Sequence, residues 1–163
     1  MIVVVVGDLD RDSENDQSQV LELLSELKIR YSDLLIVSAA CDMGIGKIVR
    51  NKCIANKNNP EFAFVEISIK PWSTMSPAKL SQIYMCKNPA LVEIGEVFHI
   101  FSSGKTRGHT FDLLNRIHKS KRPLTIHDKT GKVTYYNYQT ITENKVIKQG
   151  QTIQSSNLKD FLE

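Results

Sequence analysis

The chain reads as an α/β domain, a three-layer sandwich with a mainly parallel five-stranded sheet and a short β-rich C-terminal extension. Three observations predict it. Short apolar runs rich in β-branched residues alternate with longer stretches whose apolar residues recur at helical spacing. The runs lack apolar–polar alternation, so both faces must be covered, as in a parallel sheet. The 163 residues carry 41% hydrophobic and 24% charged side chains, enough apolar material for one buried core and too much for a disordered chain.

Met1–Gly7 (MIVVVVG) is the first strand. Asp16–Tyr31 follows as a helix, with Val20, Leu24, Leu27 and Tyr31 on one face. Leu34–Ala39 is a second buried strand, and Ile45–Ala55 a second helix with Ile45, Val49 and Cys53 inward. Phe62–Ile69 is the third strand. Ser76-Pro77 opens a third helix, because Ser is a favoured N-cap and Pro loses nothing at the first helical position. Leu80, Ile83 and Tyr84 form its inner stripe. Asn88-Pro89 repeats the signature for a short helix that Gly95 ends. Val97–Phe101 is the fourth strand, Thr110–Lys119 a helix with Leu113, Leu114 and Ile117 inside, and Leu124–His127 the fifth strand.

Residues 1–128 form the main unit, and 129–163 an extension packed on the same domain. In the extension Lys129–Lys132 reads as a turn and Val133–Tyr138 as an exposed or edge strand. Residues 139–157 are polar strand pieces and loops, and Asn157–Leu162 a terminal helix.

No apolar run approaches the roughly 20 residues of a membrane span, and the first is too short for a signal-peptide core. A cytoplasmic protein without membrane contact is the expectation. Cys41, Cys53 and Cys86 form no C-x-x-C pair and read as reduced, mostly buried thiols. No spacing suggests a zinc site, and no cofactor is implied; the acid string after the first strand could bind a divalent metal, though a solvated loop is the favoured reading. Net charge is +3, with −2 on residues 1–81 and +5 on 82–163. That bias invites an anionic ligand and is too weak to mark a DNA-binding surface.

In open parallel sheets ligands bind beyond the C-terminal strand ends, near the switch in strand order. The loop from Ser102 to Thr110 leaves a buried strand and enters a helix there. The helix start offers unpaired N–H groups and about half a positive charge. Gly104 and Gly108 let the backbone approach an anion, Lys105 and Arg107 add full charges, and Ser103, Thr106, His109 and Thr110 complete a phosphate site. The bland alternative is a solvated surface loop. Ala40–Lys47 is a second strand-to-helix loop, in which Gly44 and Gly46 could cradle a nucleotide or make a tight turn. It is not a P-loop, since Cys41 and Ile48 stand where Gly and Ser or Thr are needed. It is not a dinucleotide fingerprint either, because Val49 replaces the third Gly.

The acids Asp8, Asp10, Asp12, Glu14 and Asp16 follow the first strand and read as a solvated loop, with an Asp capping the next helix. Gly7 and Asp8 lie nearest the strand end, where Asp8 could face sugar hydroxyls. His99 reads as structural. Trp72 either packs at a strand end or stacks on a base.

The stretch from Tyr84 to Asp112 resembles the SLOG superfamily, a Rossmann-like group. The group includes cytokinin-activating phosphoribohydrolases (lysine decarboxylase-like proteins), DNA-processing protein A and relatives of the nucleoside deoxyribosyltransferases. Lys87-Asn88 matches its basic residue before a helix, Glu96 its strand-opening acid, and Gly108–Asp112 its Gly-rich turn. Ser38–Val49 is similar to its first Gly-rich turn. Asp112 and Lys87 depart from the Glu and Arg of the hydrolases. The resemblance implies a nucleotide or nucleotide-sugar ligand, with phosphate at Gly104–Thr110 assisted by Lys87. Any catalysis it implies is cleavage or transfer at an N-glycosidic bond of a nucleoside monophosphate, with Asp112 as the carboxylate and Glu66 and Glu93 behind it. The other readings are a non-catalytic nucleotide sensor or sequestering module, and a DNA-associated protein. A homo-oligomer is an analogy with related folds.

Overall fold

A computed structural model describes residues 1–54, 61–68, 85–138 and the strand at 151–153. The expected helix at Ser76, Trp72 and the expected terminal helix at Asn157–Leu162 lie outside the described residues.

Strand β1 (Ile2–Gly7) is the middle of the sheet, and Val3, Val4 and Val5 are wholly buried. Its unbroken β-branched run therefore packs on both faces. It is flanked by β2 (Leu35–Ala39) and β4 (Val97–Phe101), with β3 (Ala63–Ile67) outside β2 and β5 (Leu124–His127) outside β4. All five run parallel. The sheet has more than the five strands expected. β6 (Val133–Tyr136) pairs antiparallel with β5, and β7 (Gln151–Ile153) antiparallel with β6, giving the order β3-β2-β1-β4-β5-β6-β7. β6 is thus an inner strand, not an edge. The hairpin that starts it is built by Asp128, whose Oδ1 accepts from the Thr130 and Lys132 amides at 2.8 and 2.9 Å.

The two faces of β1 divide the core. Val3 and Val5 pack with Leu24 and Leu27 of α1 (Glu14–Arg30) and Ile45 and Val49 of α2 (Gly44–Cys53). Val4 and Val6 pack with Leu91 of α3 (Asn88–Ile94) and Leu113 and Ile117 of α4 (His109–Ser120). Each such side chain contributes roughly 1.5–3 kcal/mol by burial. Helix α3 ends before Gly95 as expected, but that glycine is not left-handed, with φ −72°. A Cβ there would lie 2.5 Å from Val4 Cγ2 and 2.6 Å from Phe98 Cζ, so close packing demands it. The cap of α1 is Ser13, not an Asp. Asp16 N–H bonds its hydroxyl and Ser13 N–H bonds the Asp16 carboxylate, a reciprocal pair at 3.2 and 3.1 Å. Of the thiols only Cys53 is buried; Cys41 is half-buried and Cys86 exposed.

Arg11 is wholly buried. Its Nε donates to Asp16 at 2.5 Å, and one terminal nitrogen donates to the carbonyls of Ser102 (3.0 Å) and His127 (2.8 Å). The guanidinium lies 5.5 Å from the Phe101 ring centroid. It thereby ties the β1–α1 loop to the C-terminal ends of β4 and β5. Burial opposes the charge on Asp16, yet hydrogen bonds from Ser13 and Arg11 outweigh it and lower its pKa. Arg11→Met strands the buried Asp16 carboxylate and should cost about 3–5 kcal/mol in urea unfolding near neutral pH. A loss under about 1 kcal/mol would deny the clamp its role.

Beneath Arg11, His99 Nδ1 and His127 Nε2 are 3.1 Å apart, and His127 stacks on Phe101 at 4.4 Å. Burial, then the Arg11 charge, pushes His127 down to about 4. Burial, then the charges of His127 and Arg30, holds His99 well below its usual 6.5. Below pH 6.5 the unfolded chain accepts protons that the folded chain refuses. Stability should therefore be full above pH 6.5 and fall as pH drops toward 4, by about 3 kcal/mol for His127 alone. The loss from Asp16 begins only lower, below the ordinary carboxyl pKa of 3.8. Urea unfolding at pH 7.5, 6 and 4.5 measures the slope, which His99→Phe with His127→Phe should flatten.

Candidate functional site

The chain leaves β1 through α1 toward β2 and returns at β4 on the other side of β1, so the strand order switches between β1 and β4. In open sheets of this kind the ligand crevice lies beyond the C-terminal ends at that switch. Gly7, Asp8, Ser102 and Ser103 occupy those ends, and the first turn of α4 opens onto them.

The glycines fall into two groups. Gly44 has φ +59°, and a Cβ on it would lie 2.4 Å from the Asp8 carbonyl. It lets the start of α2 press against the β1–α1 turn. Gly7 and Gly46 are likewise closed in by the chain, at 2.5 Å from the Phe101 carbonyl and 2.8 Å from the Ala39 carbonyl. These three positions therefore serve close packing of the backbone, and the space beside them is filled. Gly104 (φ +75°) and Gly108 (φ +101°) differ, for a Cβ on either would meet no described residue within 4 Å. Gly108 is the N-cap of α4, and among the described residues no side chain caps that helix.

The β4–α4 loop is itself divided. Its first half is engaged by the chain. Ser103 N–H donates to Asp8 Oδ2 at 2.6 Å, and Gly104 N–H to Ser102 Oγ at 3.1 Å. Asp10 accepts from Ser103 Oγ at 2.9 Å and pairs with Lys105 at 3.1 Å and Lys129 at 3.3 Å. Burial works against the charge on Asp10, but hydrogen bonds from Lys105, Ser103 and Lys129 outweigh it and hold the carboxyl well below its usual range. The second half is open. Thr106, Arg107 and Gly108 are exposed, and among the described residues Arg107 has no ion-pair partner.

His109 turns inward. Its Nε2 lies 3.4 Å from the Gly7 carbonyl and 3.2 Å from Thr110 Oγ1. Burial lowers its pKa against the Gly7 carbonyl and the Asp8 charge, and Lys87 and Lys105 lower it further, so the ring is neutral at pH 7. Thr110 is buried. With Val6, Gly7, Asn88 and Leu91, His109 lines a cavity of about 20 Å³, the size of one water molecule.

The two residues expected to do chemistry are each engaged by the chain. Lys87 is 3% exposed, and its Nζ donates to the Ala40 carbonyl at 2.7 Å. Burial lowers its pKa, though the neighbouring Cys41 and Glu66 act the other way. Asp112 Oδ2 accepts from Arg116 Nε at 2.7 Å and Asn88 Nδ2 at 2.8 Å. Burial raises the Asp112 pKa, but these two bonds prevail and it is lowered. Asn88 also donates to the His109 carbonyl at 2.8 Å, so Asp112 and Asn88 staple α3 to the start of α4. Glu66 pairs with Arg50 at 2.8 Å, and Glu93 is exposed on α3. Glu96 sits at the opposite end of the sheet, where it accepts from Ile2 N–H at 2.6 Å.

Sequence reasoning missed Asp10, Arg11 and Lys129 as contributors. Asp10 is two residues beyond Asp8 in the acid string, and Lys129 is the second residue after β5, so both leave strand ends at the crevice. That shared origin was the available signal. Among the described residues no three His, Cys, Asp or Glu side chains are grouped to hold a metal ion, and no helix is long and apolar enough to cross a membrane. Comparison with protein-family models, curated proteins and solved structures finds no match, so the site is read from its own geometry.

Proposed function

We propose that the crevice between β1 and β4 binds a nucleotide or nucleotide sugar, with a phosphate at the Gly104–Thr110 turn, and that it acts as a binding module. One observation carries the reading: among the described residues no side chain caps the first turn of α4, which opens at the switch in strand order. Helix N–H groups there supply donors and partial positive charge, and Arg107 and Lys105 supply full charges. The resemblance of Tyr84–Asp112 to the SLOG superfamily supports the same ligand class. Asp8, expected to face sugar hydroxyls, is instead buried and accepts from the Ser103 amide.

Binding without turnover is favoured over N-glycosidic cleavage or transfer. An oxocarbenium-like transition state needs a carboxylate facing the anomeric carbon. Asp112 is instead committed to Arg116 and Asn88, and Lys87 to the Ala40 carbonyl.

Thermal unfolding with a panel of nucleoside monophosphates tests this. A ligand at 100 times its Kd adds about 2.7 kcal/mol, an upward shift of roughly 5–10 °C for a chain of this length. Arg107→Ala should leave the unliganded Tm within about 1–2 °C, because surface changes alter stability little. It should weaken the best ligand about five- to tenfold. Unchanged affinity would put the phosphate elsewhere. Chromatography after incubation at high protein concentration should find no free base; base release would restore the hydrolase reading.

A further inference from the structure

The β4–α4 loop is already in contact with an anion, and that anion belongs to the chain. Donors from two separate elements converge on the Asp10 carboxylate. They are the Ser103 hydroxyl and Lys105 amine of the β4–α4 loop and the Lys129 amine of the β5–β6 turn, at 2.9, 3.1 and 3.3 Å. A hydroxyl and two ammonium groups around one carboxylate form a donor set that suits a phosphate oxygen equally well. Next to it, Asp8 takes the Ser103 amide, an N–H that would otherwise face the same space. Both carboxylates ride on the β1–α1 loop, whose base is fixed by the buried Arg11.

We infer that Asp10 is an autoinhibitory latch: it holds the loop's cationic donors in the unliganded protein, and an incoming phosphate must displace it. This rests on the proposed reading of the turn as a phosphate site and adds its regulation. The contacts suit a releasable latch. The side chains of Asp10, Lys105 and Lys129 are 44%, 52% and 53% exposed, so their pairing is screened by water and weak. The clamp below is not weak, so the latch opens without unseating the loop. Displacement frees Lys105, Lys129 and the Ser103 hydroxyl together, extending the grip from the open half of the turn to the whole of it. Multiply charged phosphates gain most, because each freed amine meets a charge.

The test is calorimetric titration of wild type, Asp10→Asn, Asp12→Asn and Arg107→Ala with AMP and with inorganic phosphate. Asp10→Asn keeps the shape and removes the charge that competes. Affinity for AMP should rise about fivefold, the worth of one released surface pair. Asp12→Asn removes an equal charge two residues away and should change affinity less than twofold. Equal gains in the two variants would reduce the effect to bulk charge and overturn the latch. AMP binding that Arg107→Ala weakens and Asp10→Asn leaves unchanged would overturn the latch and keep the phosphate site. Failure of every protein to bind either probe would remove the site and the latch with it. Crystals of the AMP complex give an independent reading: Asp10 should be more than 4 Å from Lys105, and an intact pair would overturn the proposal.

Discussion

A buried positive charge organises the end of this sheet that matters. Arg11 cannot sit in the interior alone, since an unpaired buried ion costs several kcal/mol. It is tolerated because every direction of its planar fork finds an acceptor. Asp16 supplies charge, and the carbonyls of Ser102 and His127 supply the ends of two strands. Ser102 follows the last residue of β4 and His127 is the last of β5, where the chain turns into loops. Three loops are thereby held in one place. Burial, with the same guanidinium in second place, holds the pKa of His127 below its usual value.

From that constraint the two glycine groups follow. Once the β1–α1 loop is pinned above β4, helix α2 can start only by sliding its backbone against Asp8 and Leu9, and Gly44 alone fits there. On the far side of the switch no described residue presses on Gly104 or Gly108, and the first turn of α4 is left open. Pattern matching on glycine treats the two loops as equals. The space around each residue separates them, for a glycine crowded by its own chain packs and a glycine facing open space can admit a ligand.

Much of the fold was legible because its signals are local. The unbroken valine run of β1, the 3.6-residue stripe of α1 and Pro89 at the start of α3 each act within a few residues. Leu124–His127 and Val97–Phe101 emerge with the ends expected for them. The features that were illegible are those set by distant partners. Ser13 outcompetes the acids as a cap because Asp16 returns its hydrogen bond. Val133–Tyr136 lies inside the sheet because Gln151–Ile153 pairs beyond it, and no pattern within the strand announces that. For the β4–α4 loop, its place between strand and helix was legible and its contacts were not. Composition placed Lys105 and Gly108 at a helix start. Nothing in composition shows that Asp10, 95 positions before Lys105, would arrive to meet it.

The energies of these contacts decide which parts of the crevice can move. Asn88 ties α3 to α4, Lys87 ties the start of α3 to the end of β2, and Arg11 ties β1–α1 to β4 and β5; all three side chains are buried. Breaking any of them leaves a polar group without water, a loss of about 1–3 kcal/mol or more for a charged group. Asp10, Lys105 and Lys129 regain full hydration when they part, so their separation costs on the order of 1 kcal/mol. Among these contacts the Asp10 pairs at the tip of the β1–α1 loop are the most readily parted. A cavity of about 20 Å³ beside His109 cannot admit a nucleotide base while those ties hold. The proposed ligand is therefore left with the outer turn, its phosphate taking the place of the Asp10 carboxylate on Ser103, Lys105 and Lys129, while the core beneath stays unchanged.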